Sequence, residues 1–223
     1  MSTGIEIGSV RIHRIVEQEG PFFEAMHFFP TMTKELLDEN RGWLQPRFLD
    51  AGDRLMLCIQ SYIVQTPHHT IMIDSCVGNH KPRPTRSFWN MMNSDRYEKN
   101  LAASGFGVND IDFVMCTHLH TDHVGWNTRL EGDTWVPTFP NARYLYVDRE
   151  WAHWSKEAET AENTRTLVED SLRPVSRPAS SISSRPRIAS RTHSGSSQAT
   201  ATRPVTSTCA WAQPARRRPS SAT

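Results

Sequence analysis

Thr117-His118-Leu119-His120-Thr121-Asp122-His123 follows directly on the apolar run Ile111-Asp112-Phe113-Val114-Met115-Cys116. Three imidazoles and a carboxylate therefore stand together at the end of what reads as a β-strand. His118 and His120 are two residues apart, so in an extended segment their side chains leave the same face. Asp122 and His123 come one step later, before Val124-Gly125-Trp126, which suggests a turn into a short helix. That second pair is placed to serve another ion beside the first. Neutral imidazole together with carboxylate suits Zn²⁺, with Mn²⁺, Fe²⁺ or Co²⁺ as alternatives. The plainer account is a His-rich surface loop, or core histidines satisfied by hydrogen bonds. It suits a lone histidine, but not four ligand-type residues at this spacing behind a strand.

On these residues the chain resembles the metallo-β-lactamase superfamily of metallohydrolases. The run Thr70-Ile71-Met72-Ile73-Asp74-Ser75 is similar to the family's strand that ends in an Asp close to the metals. The resemblance implies an α/β fold, an αββα sandwich of which residues 1–172 would supply the N-terminal part. It implies that His118 and His120 belong to a first metal site and Asp122 and His123 to a second. Two divalent metal ions, Zn²⁺ foremost, are the implied cofactors, and Asp122 is the implied catalytic residue as well as a ligand. The implied chemistry is metal-assisted hydrolysis of a small-molecule substrate, a water activated by the ions attacking an ester, lactone or related bond. The His-Leu-His-Thr-Asp-His form looks most like the lactonase, esterase and organophosphate-hydrolase branches, with thioesters and β-lactams as further substrate classes. The family also needs a third His for the first site, a bridging Asp and a final His, and this sequence shows none of the three. There is no Gly-x-Ser-x-Gly and no glycine-rich phosphate loop, so serine hydrolysis and nucleotide-driven chemistry have no support.

The missing ligands belong in the last 53 residues, whose composition is anomalous. From Ser171 to Thr223 there are nine Arg and thirteen Ser but no Asp, Glu or Lys. All 24 acidic residues and 16 of the 25 Lys and Arg precede that point, so the body carries −8 and the tail +9. Read literally, residues 173–223 are a basic, disordered Ser/Arg/Pro-rich tail, either solvated or an arm for nucleic acid. A shifted reading frame fits better. Back-translating Gln198 to Ala210 and regrouping each third base with the next two permits Ser/Gly-His-Gly-His-Thr-Pro-Gly-His-Val-His-Val-Arg, which contains the family's missing loop. The same shift restores acidic residues and apolar alternation over Ser176 to Ser184. The expectation is an insertion or deletion between Leu172 and Ser176, with the intended protein continuing past position 223. Nucleic acid is then not an expected partner. The literal chain has a competing reading as a catalytically impaired metal-binding fragment whose basic tail binds polyanions.

The body alternates strand-like and helix-like segments. Ser9–Val16, Leu55–Gln65, His69–Asp74, Ile111–Cys116 and Ala142–Val147 read as strands, with a turn at Thr66-Pro67-His68. Asp95–Ala103 reads as a helix capped by Ser94 and ended by Gly105 and Gly107, and Arg149–Ala158 as a helix capped by Asp148. Phe22–Phe29 reads as core, with a substrate entrance as the alternative. His68, His69 and His80 read as surface or structural histidines, and Trp135, Trp151 and Trp154 as packing. Cys58, Cys76, Cys116 and Cys209 lack Cys-x-x-Cys spacing, and the first three read as buried thiols. The start of the chain has no basic, apolar leader and no later run is long enough to span a membrane, so a cytoplasmic protein without membrane partners is expected. Oligomeric state is not legible.

Overall fold

Strands dominate the first half of the chain because β-branched and polar residues alternate there, and short helices fill the gaps between later strands. The structure, a computed structural model, describes residues 4–176. The frame-shift expectation beyond Ser176, and Cys209 with it, lie outside the described residues. In chain order the elements are β1 (Ile5–Ile7), β2 (Val10–Glu24), α1 (Ala25–Phe28), α2 (Lys34–Leu44), β3 (Arg54–Gln65), β4 (Thr70–Ile73) and α3 (Arg96–Ala103). They continue with β5 (Phe113–Met115), α4 (Thr121–Val124), β6 (Thr128–Glu131), β7 (Thr134–Pro137), β8 (Arg143–Leu145), α5 (Asp148–Glu157) and α6 (Glu162–Leu167). A π turn over Val168–Leu172 and a 3₁₀ turn over Arg173–Val175 follow.

The main sheet has the order β1-β2-β3-β4-β5-β8, and β6 and β7 form a separate hairpin. β1 through β4 are mutually antiparallel, while β4, β5 and β8 run parallel. The parallel strands matter for function, because open α/β sheets gather ligands outside the carboxyl ends of such strands. Ile15, Ile63, Met72 and Val114, one from each of β2 to β5, are fully buried on one face. Helix α3 closes that face through Tyr97 and Leu101. Each such aliphatic side chain contributes about 1.5–3 kcal/mol by leaving water.

The expected strands and helices are present, with three differences. Strand β2 runs past Val16 to Glu24, its register shifting between Val16 and Gln18 and again between Pro21 and Phe23. At the first shift Glu17 faces no partner residue on β3, and its side chain turns inward. The second difference concerns Phe22–Phe29, which is core only in part: Phe22 packs against the main core and Ala25 is buried. Met26, Phe28 and Phe29 are exposed. Phe28 and Phe29, with Trp43, Leu44 and Phe48, line an apolar groove of about 550 Å³. The segment leaves the core because Glu24 ends the strand and Ala25, the small residue, takes the buried position of the following turn. Third, helix α4 begins at Thr121, so Asp122 and His123 sit inside a helical turn rather than before one. Two expected caps also differ: Asp148 lies in the first turn of α5 and makes no side-chain cap, and Asp95 rather than Ser94 holds the N-cap position of α3.

Candidate metal centre

Three loops meet at the carboxyl ends of β4, β5 and β8. The loop after β4 starts with Asp74, the loop after β5 holds Thr117 to His120, and α5 follows β8. Alternation around Leu119 places the motif: Leu119 is fully buried while His118 is half-buried and His120 exposed, so the two imidazoles share the outer face. Their rings lie 4.7 Å apart, edge to face, and the His123 ring lies 3.9 Å from that of His118. The helical turn α4 therefore returns His123 beneath His118. All four nominated residues, His118, His120, Asp122 and His123, are brought together, and Asp74 joins them.

Asp74 holds the motif from below. Its Oδ1 accepts the Thr117 backbone N–H at 2.7 Å, and both carboxylate oxygens accept the Thr117 hydroxyl. His123 lies between two carboxylates, with Nδ1 2.9 Å from Asp74 Oδ2 and Nε2 3.4 Å from Asp122 Oδ2. Nδ1 is buried and, despite that short approach, is not aligned for a hydrogen bond. Burial opposes charge on His123, yet the two carboxylates outweigh it and push its pKa up to about 9. His118 moves the other way, lowered by burial and by the neighbouring His123 and His120. Asp122 is disfavoured as an anion by burial, but hydrogen bonding to His123 brings it below its ordinary value. From α5, Glu150 Oε2 accepts the Leu119 N–H at 3.2 Å and the Trp154 indole N–H at 3.1 Å. The Trp154 ring then meets His120 edge to face at 5.1 Å.

These residues fit a divalent cation in donor chemistry: three imidazoles and two carboxylates crowd one sheet edge, and a buried imidazole nitrogen has no hydrogen-bond partner among the described residues. Among the described residues, no three His, Cys, Asp or Glu side chains stand in an arrangement that holds a metal as it is.

The loop after β4 is unusual in its backbone. Asp74, Cys76 and His80 have φ of 58°, 52° and 60°, and Gly78 has φ of 79°. Non-glycine residues in this region are uncommon, and such strain concentrates at functional sites. The loop runs against α4 and the 3₁₀ turn Gly125–Asn127. Ser75 N donates to His123 O at 2.7 Å, Gly125 N to Cys76 O at 2.8 Å, and Trp126 N to Ser75 O at 2.7 Å. The approach is so close that a Cβ on Gly125 would lie 1.7 Å from Val77 O.

Sequence reasoning missed Glu17, Glu150 and Trp154 as supports of this site. Trp126 anchors the turn after α4: its ring is buried and stacks on Tyr97. Trp135 lies under Lys81 and Trp151 stacks on Tyr146, the packing roles expected of them, while Trp154 faces the motif. His68 and His69 are exposed, and neither they nor His80 join the cluster.

The sequence profile described as the Metallo-beta-lactamase superfamily matches residues 59–198, and the chain belongs to that superfamily. Its described residues are accordingly a mixed α/β portion of the metallo-β-lactamase fold. Among solved structures, the chain is similar to a hydrolase, AbOPH, of the β-lactamase superfamily, with 22% identity, a TM-score of 0.58 and coverage of 76% of this chain and 56% of that one. A probable metal-dependent hydrolase from Staphylococcus aureus gives 20% identity, a TM-score of 0.55 and coverage of 73% and 54%. AidC, a dizinc quorum-quenching lactonase, gives 20%, 0.53 and coverage of 69% and 47%. The chain thus spans about half the length of these structures, and at such identities the likeness is one of fold. A comparison with curated proteins finds no match.

Proposed function

We propose that this chain belongs to a metal-dependent hydrolase acting on an ester, lactone or related bond of a small molecule. The observation that supports it is the convergence of His118, His120, Asp122, His123 and Asp74 at the carboxyl ends of β4 and β5. His118 and His120 would hold one divalent cation, and Asp122 with His123 a second, Zn²⁺ being the first choice for this donor set. When bound, such ions polarise the scissile carbonyl or phosphoryl oxygen and make water a nucleophile near neutral pH. The side chains supply the rest. Asp122 accepts a proton from the attacking water and passes it toward the leaving group. Asp74 fixes the Thr117 backbone and orients His123, while Glu150 and Trp154 hold the Leu119 backbone and the His120 ring. The preference for lactones and esters rests on the motif's form, and AidC, which shares the fold, is itself a lactonase. Organophosphates, thioesters and β-lactams are the other candidates.

Cys76 and Cys116 are the buried free thiols expected, whereas Cys58 is free but only half-buried; free thiols suit a reducing, cytoplasmic setting. No helix among the described residues is long and apolar enough to cross a membrane.

A second reading is favoured by one observation, the orientation of His123 onto carboxylates in a chain that spans about half the length of the structures it matches. The chain then binds a cation without turning substrate over. Metal content of the purified 223-residue protein, with hydrolysis of an acyl-homoserine lactone and a p-nitrophenyl ester, separates the two. About two metals per chain and turnover abolished by His118→Ala support the hydrolase. Substoichiometric metal without turnover supports the fragment, and no metal uptake at all rejects both.

A further inference from the structure

Glu17 is 3% exposed, and among the described residues no cation contacts it. It is the residue at which β2 slips register against β3, and the slip is what aims a side chain from an alternating strand into the interior. Its Oε2 accepts the Val77 N–H at 2.8 Å, and its Oε1 accepts the Gly78 N–H at 3.0 Å and the Trp126 indole N–H at 2.5 Å. Successive N–H groups in a segment that alternates into positive φ form a concave anion cradle, and here the carboxylate fills it. Charge-assisted bonds of this kind are roughly twice as strong as neutral ones.

The position of the three donors gives the carboxylate its meaning. Val77 is three residues after Asp74, and Trp126 is three residues after His123. One side chain on β2 therefore grips the two segments that carry the ligand-type residues, just beyond those residues. The backbone crossing between the same segments, where Gly125 packs on Val77, leaves no slack for either to slide alone.

We propose that Glu17 is a positioning residue that sets the spacing between Asp74 and the His118–His123 group through its bonds to Val77, Gly78 and Trp126. The proposal rests on the metal-site reading above, and Glu17 itself touches none of the ligand-type side chains. Replacing Glu17 by Gln puts an NH₂ against N–H donors and loosens the grip, while Trp126→Phe removes the indole donor and leaves a smaller aromatic ring in its place.

The test titrates Co²⁺ into the full 223-residue chain, reading the visible ligand-field bands, with a thermal melt of each variant. Leu37→Ala, in the separate cluster of Ala25, Leu37 and Leu49, lowers stability away from the site and serves as control. Glu17→Gln should weaken Co²⁺ binding about 10–100-fold and alter the band shape, the usual effect of removing support behind ligands. Trp126→Phe should fall between it and wild type, and Leu37→Ala should keep wild-type Kd. The proposal is overturned if folded Glu17→Gln and Trp126→Phe bind Co²⁺ as wild type does, or if Leu37→Ala weakens binding as much. Should Glu17→Gln fail to fold, Trp126→Phe decides by the same criterion. A wild-type chain that binds no Co²⁺ rejects the metal reading itself, and the positioning role falls with it.

Discussion

Two carboxylates are buried among the described residues, Glu17 and Asp170, and they are kept there by opposite means. Glu17 is met only by N–H dipoles, two from backbone and one from an indole, and burial still pushes its carboxyl up against their pull. Asp170 is met by cations. Arg83 takes both its oxygens at 2.7 and 2.8 Å, and Lys81 lies 3.8 Å away. Lys81 is fully buried, donates to the Asp170 carbonyl at 2.8 Å and to the Thr128 hydroxyl, and stands 3.6 Å from the Trp135 ring centre. Two cations share one carboxylate, so one positive charge is in excess. Burial accordingly drives Lys81 down to about 7, against the pull of Asp170 and with a push from Arg83. Dipoles let the Glu17 knot hold loops together without a fixed counterion. Ions let the Asp170 knot fasten the π turn Val168–Leu172 to β6 and to the loop after β4, but with a charge left over.

The comparison can be broken on either side. The largest effect is expected from Gly125→Ala, where the new methyl meets backbone rather than a flexible side chain. A loss of about 3 kcal/mol or more, or no cooperative melt, should follow; a melt within a degree of wild type would show that the crossing has slack. Asp170→Asn leaves Arg83 and Lys81 buried without their anion and should cost about 3–5 kcal/mol in denaturant unfolding. Glu17→Gln disturbs only dipolar contacts and should cost less, about 1–3 kcal/mol. If it proved costlier than Asp170→Asn, the distinction between the two knots would be lost.

The fourth test sharpens the comparison through pH. Lys81 titrates near 7 when folded and near 10.5 when free, so between those values the unfolded chain binds a proton that the folded chain does not. Stability from this group therefore rises with pH across that window, by at most about 1.4 kcal/mol per unit, and below pH 7 the full burden of burying the ammonium is present. Lys81→Met should flatten the slope, and the wild-type minus Lys81→Met difference in unfolding free energy, followed from pH 6.5 to 9.5, reads it. Equal slopes would mean that Lys81 keeps its proton.

Much of this was legible in sequence wherever a segment faces the core on one side only. β3, β4 and β5 follow their apolar pattern, and the His118–His123 motif declares itself because four ligand types crowd a strand end. Glu17 was hidden by its strand: an acid in an alternating run reads as solvent-facing, and only the register slip turns it inward. Asp170 sits beside Glu169 in what looks like an exposed acidic turn, and its partners Lys81 and Arg83 are far away in sequence. Helix α2 escaped notice because Leu36 and Trp43 point into the groove instead of the core, and Gly42 weakens the helical signal. The β6–β7 hairpin turns at Gly132-Asp133, with Gly132 at φ 59°, a signal present in the chain but passed over.

The groove between α1, α2 and the start of β3 has a practical consequence at the bench. Aromatic and aliphatic side chains stand open to solvent there in the native fold, Trp43 and Phe28 among them. An amphiphilic fluorophore such as ANS should light up on the intact protein. Its glow, normally taken as the sign of a molten globule, would here be a native property. Near-ultraviolet circular dichroism is the better gauge of whether a variant has kept its packing.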